Sequence, residues 1–426
     1  MNKVITSLIS IIIFILNPTL WFSFGIFSTS NNSRLNFFLL AFFLGIIGFS
    51  IFPWGDGYER FLAFERSQYF DFMGFLKYGI AQGDVLFYAL SYFFKSNDIS
   101  YQYMQFTFVF LGFLIIFSLF RQLTINIKYK DRFLILIILL FLVNLISLAN
   151  NMRYSFATIL VLQAIFFREF KGKNLYFYII IIIATLTHFY SILLFFLYMF
   201  FSRLVVLLDR KKVLTLLFFS LFFIFLLPPI INYIAIIISS GNNIFSRKVA
   251  SYLLGNDGLI TKMISSPQQA LHNVILQLPL FSLVYYFIRY GNYNCKNTKF
   301  FLVFFCFCIS LVYFYSVYLR LSYFCLLYGF FLLLKNWEVA RIHKMWLSLL
   351  FIFSFFFFTV QVVYFQRIIL RDNIMLVNEN TVCLISKPIF MLNDCIYTKT
   401  DIHSGNTEFK ILKAESIQRT MDIISK

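Results

Sequence analysis

Three ionisable residues stand in apolar surroundings: Arg153 in LANNMRYSFA, His188 in TLTHFYS and Arg320 in YSVYLRLSYF. Charge at membrane depth is costly, which makes such residues functional candidates. Arg153 follows Asn150 and Asn151 and precedes Ser155, Ala157 and Thr158, a setting for an anion clamp. An arginine snorkelling to the interface is the competing explanation. Arg320, flanked by Tyr315, Ser316, Tyr318, Ser322 and Tyr323, lies between two apolar runs that need only a minimal turn. A planar guanidinium grips phosphate bidentately, so two arginines on one membrane face could neutralise a diphosphate. An anchor in a tyrosine belt would look the same. His188 could carry a proton near neutral pH, or could hydrogen-bond a neighbouring helix.

Carboxylates gather in residues 53–101, which hold Asp56, Glu59, Glu65, Asp71, Asp84 and Asp98 out of eighteen in the chain. Aromatic residues interleave with them, so the stretch is too greasy for a solvated linker and too charged to span a bilayer. It predicts an amphipathic lid at the interface. Asp56, Tyr58, Glu59, Arg60, Phe61 and Phe64 fit a helix start loosened by Gly55 and Gly57. Asp84 fits an N-cap before a second amphipathic piece that ends at Phe94. Asp56 and Glu59, three apart, share one helical face. They are either acids well placed on the helix dipole or a general base and hydroxyl-binding pair.

The sequence has no Gly-rich phosphate loop, HExxH, metal-spaced Cys/His set or Gly-x-Ser-x-Gly elbow. Neither metal nor cofactor is therefore expected. Cys306, Cys308 and Cys325 read as small hydrophobes in apolar helices, while Cys383 and Cys395 could pair if the tail is external.

The elements that must position these groups are membrane helices. Apolar residues make up 61% of the 426, with 62 phenylalanines and 13% charge, which excludes an ordinary soluble domain. The mean hydropathy is +0.82. The expected fold is all-α: a polytopic integral membrane helix bundle of about 11–12 membrane segments, with the amphipathic lid at 53–101 outside. Residues 1–365 form the membrane domain, 239–271 a second external loop, and 366–426 an external C-terminal tail. The run 4–27 reads as one uncleaved first helix, and Pro228-Pro229 should break or kink the run 213–238. The net charge of +18 is scattered through short loops, a topology signal and not a nucleic-acid face. Basic connections flank both ends of the run 174–202. That favours a hairpin broken at Thr187-His188 over one tilted helix. The lid, Arg153, the 239–271 loop, Arg320 and the tail then share the outer side.

The succession GDGYERFLAF, GDVLFYALSYFF, NNMRYSFATILV, ATLTHFYSILLF and YLRLSYF resembles the EpsG/Wzy-type polysaccharide polymerases of bacterial inner membranes. In that family a Gly-Asp-x-x-Tyr-like element, an acidic-Pro-hydrophobic element, an Arg-x-x-x-Ala helix start and an Ala-x-x-x-His helix come in this order. Here Asp84-Val85 replaces the usual Glu-Pro, and Gly55-Asp56-Gly57-Tyr58 is compressed. The resemblance covers residues 1–365 and not the tail. It implies a glycosyltransferase-type polymerase that joins undecaprenyl-diphosphate-linked oligosaccharide repeat units into surface polysaccharide at the outer face of the inner membrane. Implied partners are that lipid-linked glycan, membrane lipids and a chain-length regulator, with no nucleic acid. Asp56, Glu59 or His188 would be the catalytic base. Arg153, Arg320 and Arg60 would hold the diphosphate, while Tyr58, Asp84 and Tyr88 of the lid would meet the sugar. Two rivals share these features: a flippase or transporter of lipid-linked oligosaccharide, which should show two comparable halves, and a membrane glycosyltransferase using a lipid-phosphate sugar. A non-enzymatic membrane scaffold would leave Arg153, His188 and Arg320 unexplained.

Overall fold

The computed structural model describes residues 3–29, 32–67, 71–239, 267–312, 315–337, 344–371, 387–389, 391, 399–407 and 410. Among the described residues the regular elements are eighteen α-helices and one 3-10 turn, Val205–Leu207. Lipid demands this outcome, since a helix satisfies its backbone polar groups within itself. Tyr101–Leu123, Tyr190–Leu207, Val317–Lys335 and Met345–Val363 are long and apolar enough to cross a membrane. Shorter apolar helices such as Arg34–Phe49 and Asn174–Thr187 accompany them. The chain is a multi-pass membrane protein.

It divides into two compact units: residues 1–136, 144–190 and 361–426 make the first, and residues 137–143 and 191–360 the second. The first unit begins with α1 (Lys3–Leu16), α2 (Pro18–Thr29) and α3 (Arg34–Phe49). A cap of α4 (Asp56–Arg66), α5 (Phe72–Gln82) and α6 (Val85–Ser96) follows. Then come α7 (Tyr101–Leu123), the start of α8 (Tyr129–Leu142), α9 (Leu145–Asn150), α10 (Met152–Lys171) and α11 (Asn174–Thr187). Helix α7 packs along α3, and α10 packs against both α7 and α11.

Two apolar runs are cut where a single asparagine stands, Asn17 and Asn144. The one helix expected over 4–27 is two. Pro18 opens α2, where its missing N–H costs nothing, and α2 folds back on α1. Trp21 Nε1 donates to Ser10 Oγ at 2.7 Å, and the Phe14 and Trp21 rings meet edge-on at 5.2 Å. Asn144 likewise ends α8 and starts α9, its Oδ1 accepting from Ser147 N at 2.8 Å. The break expected at Thr187-His188 is present: α11 stops at Thr187, and His188 is extended at φ −159°, ψ 123°.

The second unit holds most of α12 (Tyr190–Leu204), then α13 (Arg210–Ser239), α14 (Pro267–Tyr290), α15 (Lys296–Ser310), α16 (Tyr315–Lys335) and most of α17 (Lys344–Arg371). Helix α15 packs on α13, α14 and α16. The spanning part of α16 is 78% buried against 22% for that of α17, so α16 is the hub and α17 turns an apolar face outward, as lipid contact requires. Of the break or kink expected at Pro228-Pro229, a break does not occur: helix α13 runs through it, and adjacent prolines forfeit only neighbouring hydrogen bonds, which a membrane helix tolerates. One sequence expectation is corrected here. The turn expected at Arg320 lies before Tyr315 instead, and Arg320 rides half-buried in the second turn of α16. Its long stem lets the charge reach a polar surface without ending the helix. Of the loop expected at 239–271, residues 240–266 lie outside the described residues, as do Cys383 and Cys395.

The tail returns to the first unit. Its helix α18 (Lys399–Ser404) docks on the cap through buried Ile402. His403 Nδ1 lies 2.8 Å from Tyr58 Oη, and Asn406 Nδ2 donates to the Pro53 carbonyl at 2.9 Å.

Candidate functional site

The break after α11 is filled by the cap. Between α5 and α6 the chain turns through Gly83, left-handed at φ 75°. The Gly83 carbonyl accepts from Phe189 N at 3.0 Å, and a Cβ on Gly83 would sit 3.0 Å from that of Phe189. The turn and the break are therefore latched backbone to backbone. The missed helix α5 supplies this turn. It starts at Asp71, whose Oδ1 accepts from Gly74 N at 2.9 Å.

The latch fixes Asp84, the next residue. It occupies the N-cap position of α6 as the sequence predicts, yet its side chain makes no cap hydrogen bond. It turns into the bundle and is 1% exposed. Oδ1 lies 2.5 Å from His188 Nδ1, and Oδ2 accepts from Arg153 Nη1 in the first turn of α10. A cap carboxylate, a helix-start guanidinium and an imidazole at a helix break thus converge. The Arg153 guanidinium also lies over the Phe87 ring at 5.5 Å. His188 is 4% exposed and neighboured by the rings of Tyr154, Phe189 and Tyr190.

Buried charge is tolerated when paired, and Asp84 pairs twice. A carboxylate that accepts from Nδ1–H selects the tautomer whose basic lone pair is on Nε2. It also steadies the imidazolium once a proton arrives. The cluster can therefore take up and hand on a proton beside a guanidinium that attracts anionic oxygen.

The other expected site residues are placed as follows. Arg153 is not a lone charge but half of a buried ion pair. Asp84 is not an open sugar contact but the hub of the cluster. Tyr58 and Tyr88 are each 1% exposed and offer no open face for stacking on a sugar, because aromatic packing fills the cap interior. Tyr88 Oη accepts from Arg60 Nη1 at 3.1 Å, which holds Arg60 within the cap. Burial pushes the Tyr88 phenol up to about 12, with Arg60 opposing. Asp56 is exposed on the first turn of α4, and Glu59 lies 3.8 Å from Arg60. Among the described residues the side-chain partners of Asp84 are Arg153 and His188, and neither α4 acid is one of them. Arg320 belongs to the second unit. The sequence gives no signal for His403 and Asn406, whose partners lie more than three hundred residues away. Among the described residues no group of three or more His, Cys, Asp or Glu could hold a metal ion.

The model of the EpsG family matches residues 33–375, which include the cap, α10, the His188 break and α16. No curated protein and no solved structure matches the chain.

Proposed function

This chain belongs to the EpsG family, a membrane protein family linked to exopolysaccharide synthesis, and we propose that it is the polymerase that joins lipid-diphosphate-linked repeat units at the outer face of the bacterial inner membrane. The observation that carries the reading is the buried Asp84–His188–Arg153 cluster. His188 takes the proton from an acceptor hydroxyl. The freed oxygen bonds to the anomeric carbon of the donor chain. The bond from that carbon to the lipid diphosphate breaks, and the diphosphate leaves with the electron pair. The proton on His188 then passes to water or to the departing phosphate. Asp84 orients the imidazole, and the guanidinium of Arg153 offsets negative charge on the leaving group. Arg320, in α16, is assigned to the diphosphate by its chemistry alone, and Arg320→Ala with normal insertion should then yield single repeats.

Deleting the chain and sizing the surface glycan tests the reading. Loss of a polymerase leaves single repeat units on the surface lipid. Loss of a flippase leaves none, and an unchanged ladder rules out both.

A further inference from the structure

A second polar feature of the first unit takes no part in the cluster. A cavity of about 220 Å³ lies among α4, the α6–α7 connection and the tail helix α18. Its apolar wall is aromatic. The Tyr101 ring is wedged edge-on against Phe61 at 5.7 Å and Phe64 at 5.6 Å. Tyr101 Oη donates to the Gly57 carbonyl at 3.1 Å, which stiffens that wall. Ile402 of α18 closes one side. The polar wall carries Glu65 and Lys95, paired at 2.8 Å, with Asp98 exposed beside them. Ser100 Oγ is buried without a hydrogen-bond partner among the described residues, although Ser100 holds the N-cap position of α7.

We propose that this cavity is a sugar subsite selective for uncharged or amino sugars. An aromatic wall facing a hydroxyl, an ammonium and carboxylates is the pairing that a sugar ring demands, with apolar C–H faces on one side and hydroxyls on the other. The volume is below the roughly 300–1,000 Å³ of pockets that enclose drug-sized molecules, so it suits a sugar ring and not a whole repeat unit. The lining sets two carboxylates against one ammonium. That excess of negative charge repels a phosphate or a uronate and favours a neutral or protonated amino sugar. A lipid tail would leave Glu65, Lys95 and Ser100 without polar partners of its own. The subsite rests on the glycan-polymerase reading, and would seat one sugar of the acceptor or of the growing chain.

The test is direct binding to the purified full chain in nanodiscs. Saturation-transfer NMR would be run with the methyl glycosides of glucose, N-acetylglucosamine, glucosamine and glucuronic acid. Transfer is expected to the first three and not to the glucuronide. Ser100→Leu should abolish transfer by filling the cavity, and it removes no cap bond. Asp98→Asn, at an exposed position, should weaken glucosamine binding at least threefold while sparing glucose. Equal transfer to the glucuronide, or transfer unchanged in both variants, overturns the proposal. His188→Gln separates the two readings: the subsite predicts intact sugar binding in that variant, whatever becomes of its glycan ladder.

Discussion

Asp84 had two uses open to it, and the geometry shows which one won. Capping α6 would contribute about 1 kcal/mol. Removing the carboxylate that Arg153 and His188 share would cost more, about 3–5 kcal/mol, the usual penalty for breaking a buried pair. Asp84→Asn should therefore lower thermal stability in purified protein and cut chain extension at least a hundredfold. Adding Arg153→Met should restore part of the stability without restoring the ladder, because the double variant no longer sets a guanidinium against a neutral amide. A recovered ladder in the double variant would reduce the cluster to a structural staple. Tyr88 makes a separate prediction. Its folded-state value of about 12 lies above the ordinary tyrosine value of about 10. Between those values the native state keeps a proton that the unfolded chain has shed, so stability falls as pH rises from about 10 to about 12. Tyr88→Phe should flatten that fall in thermal melts. In the sequence Arg153 and His188 were visible as ionisable residues in apolar surroundings and Asp84 as an N-cap. Their meeting was not, since Asp84 pairs across 69 residues with Arg153 and across 104 with His188.

Helices were legible wherever lipid dictated them. The extents of α3, α7 and α13 follow the apolar runs, and the helix break before His188 was expected from the basic residues at both ends of 174–202. Breaks at Asn17 and Asn144 were not foreseen, because one asparagine hardly disturbs hydropathy while its side chain supplies a local cap. Helix α5 was missed for the same reason: its N-terminal signal is the single residue Asp71. The Gly83 latch turns this cap into a positioning device. A left-handed non-glycine residue costs about 1–2 kcal/mol, and the added Cβ would press on Phe189. Gly83→Ala should therefore make the cap more susceptible to limited proteolysis and shorten the glycan ladder. An unchanged protease pattern would mean that the latch does not hold Asp84 in place.

On the scale of the first unit, cap and tail are one body. The Phe61 and His403 rings lie 5.6 Å apart, so both segments must occupy the same side of the membrane. Cysteines at those two positions, in a chain with its native cysteines replaced, should cross-link with a short bifunctional reagent and react with an impermeant thiol label from outside. Labelling of one position only would break the shared placement. The sequence assigned the lid and the tail to one side by charge counting, but nothing in it revealed that they touch.

The most direct measurement reconstitutes the purified chain in liposomes with a lipid-diphosphate-linked repeat unit and resolves the products by length. The wild-type chain should build a ladder while releasing one lipid diphosphate per bond formed. His188→Gln, which keeps the size and polarity of the side chain but not its basicity, should release none and leave the single unit intact. A full ladder from His188→Gln would contradict the account.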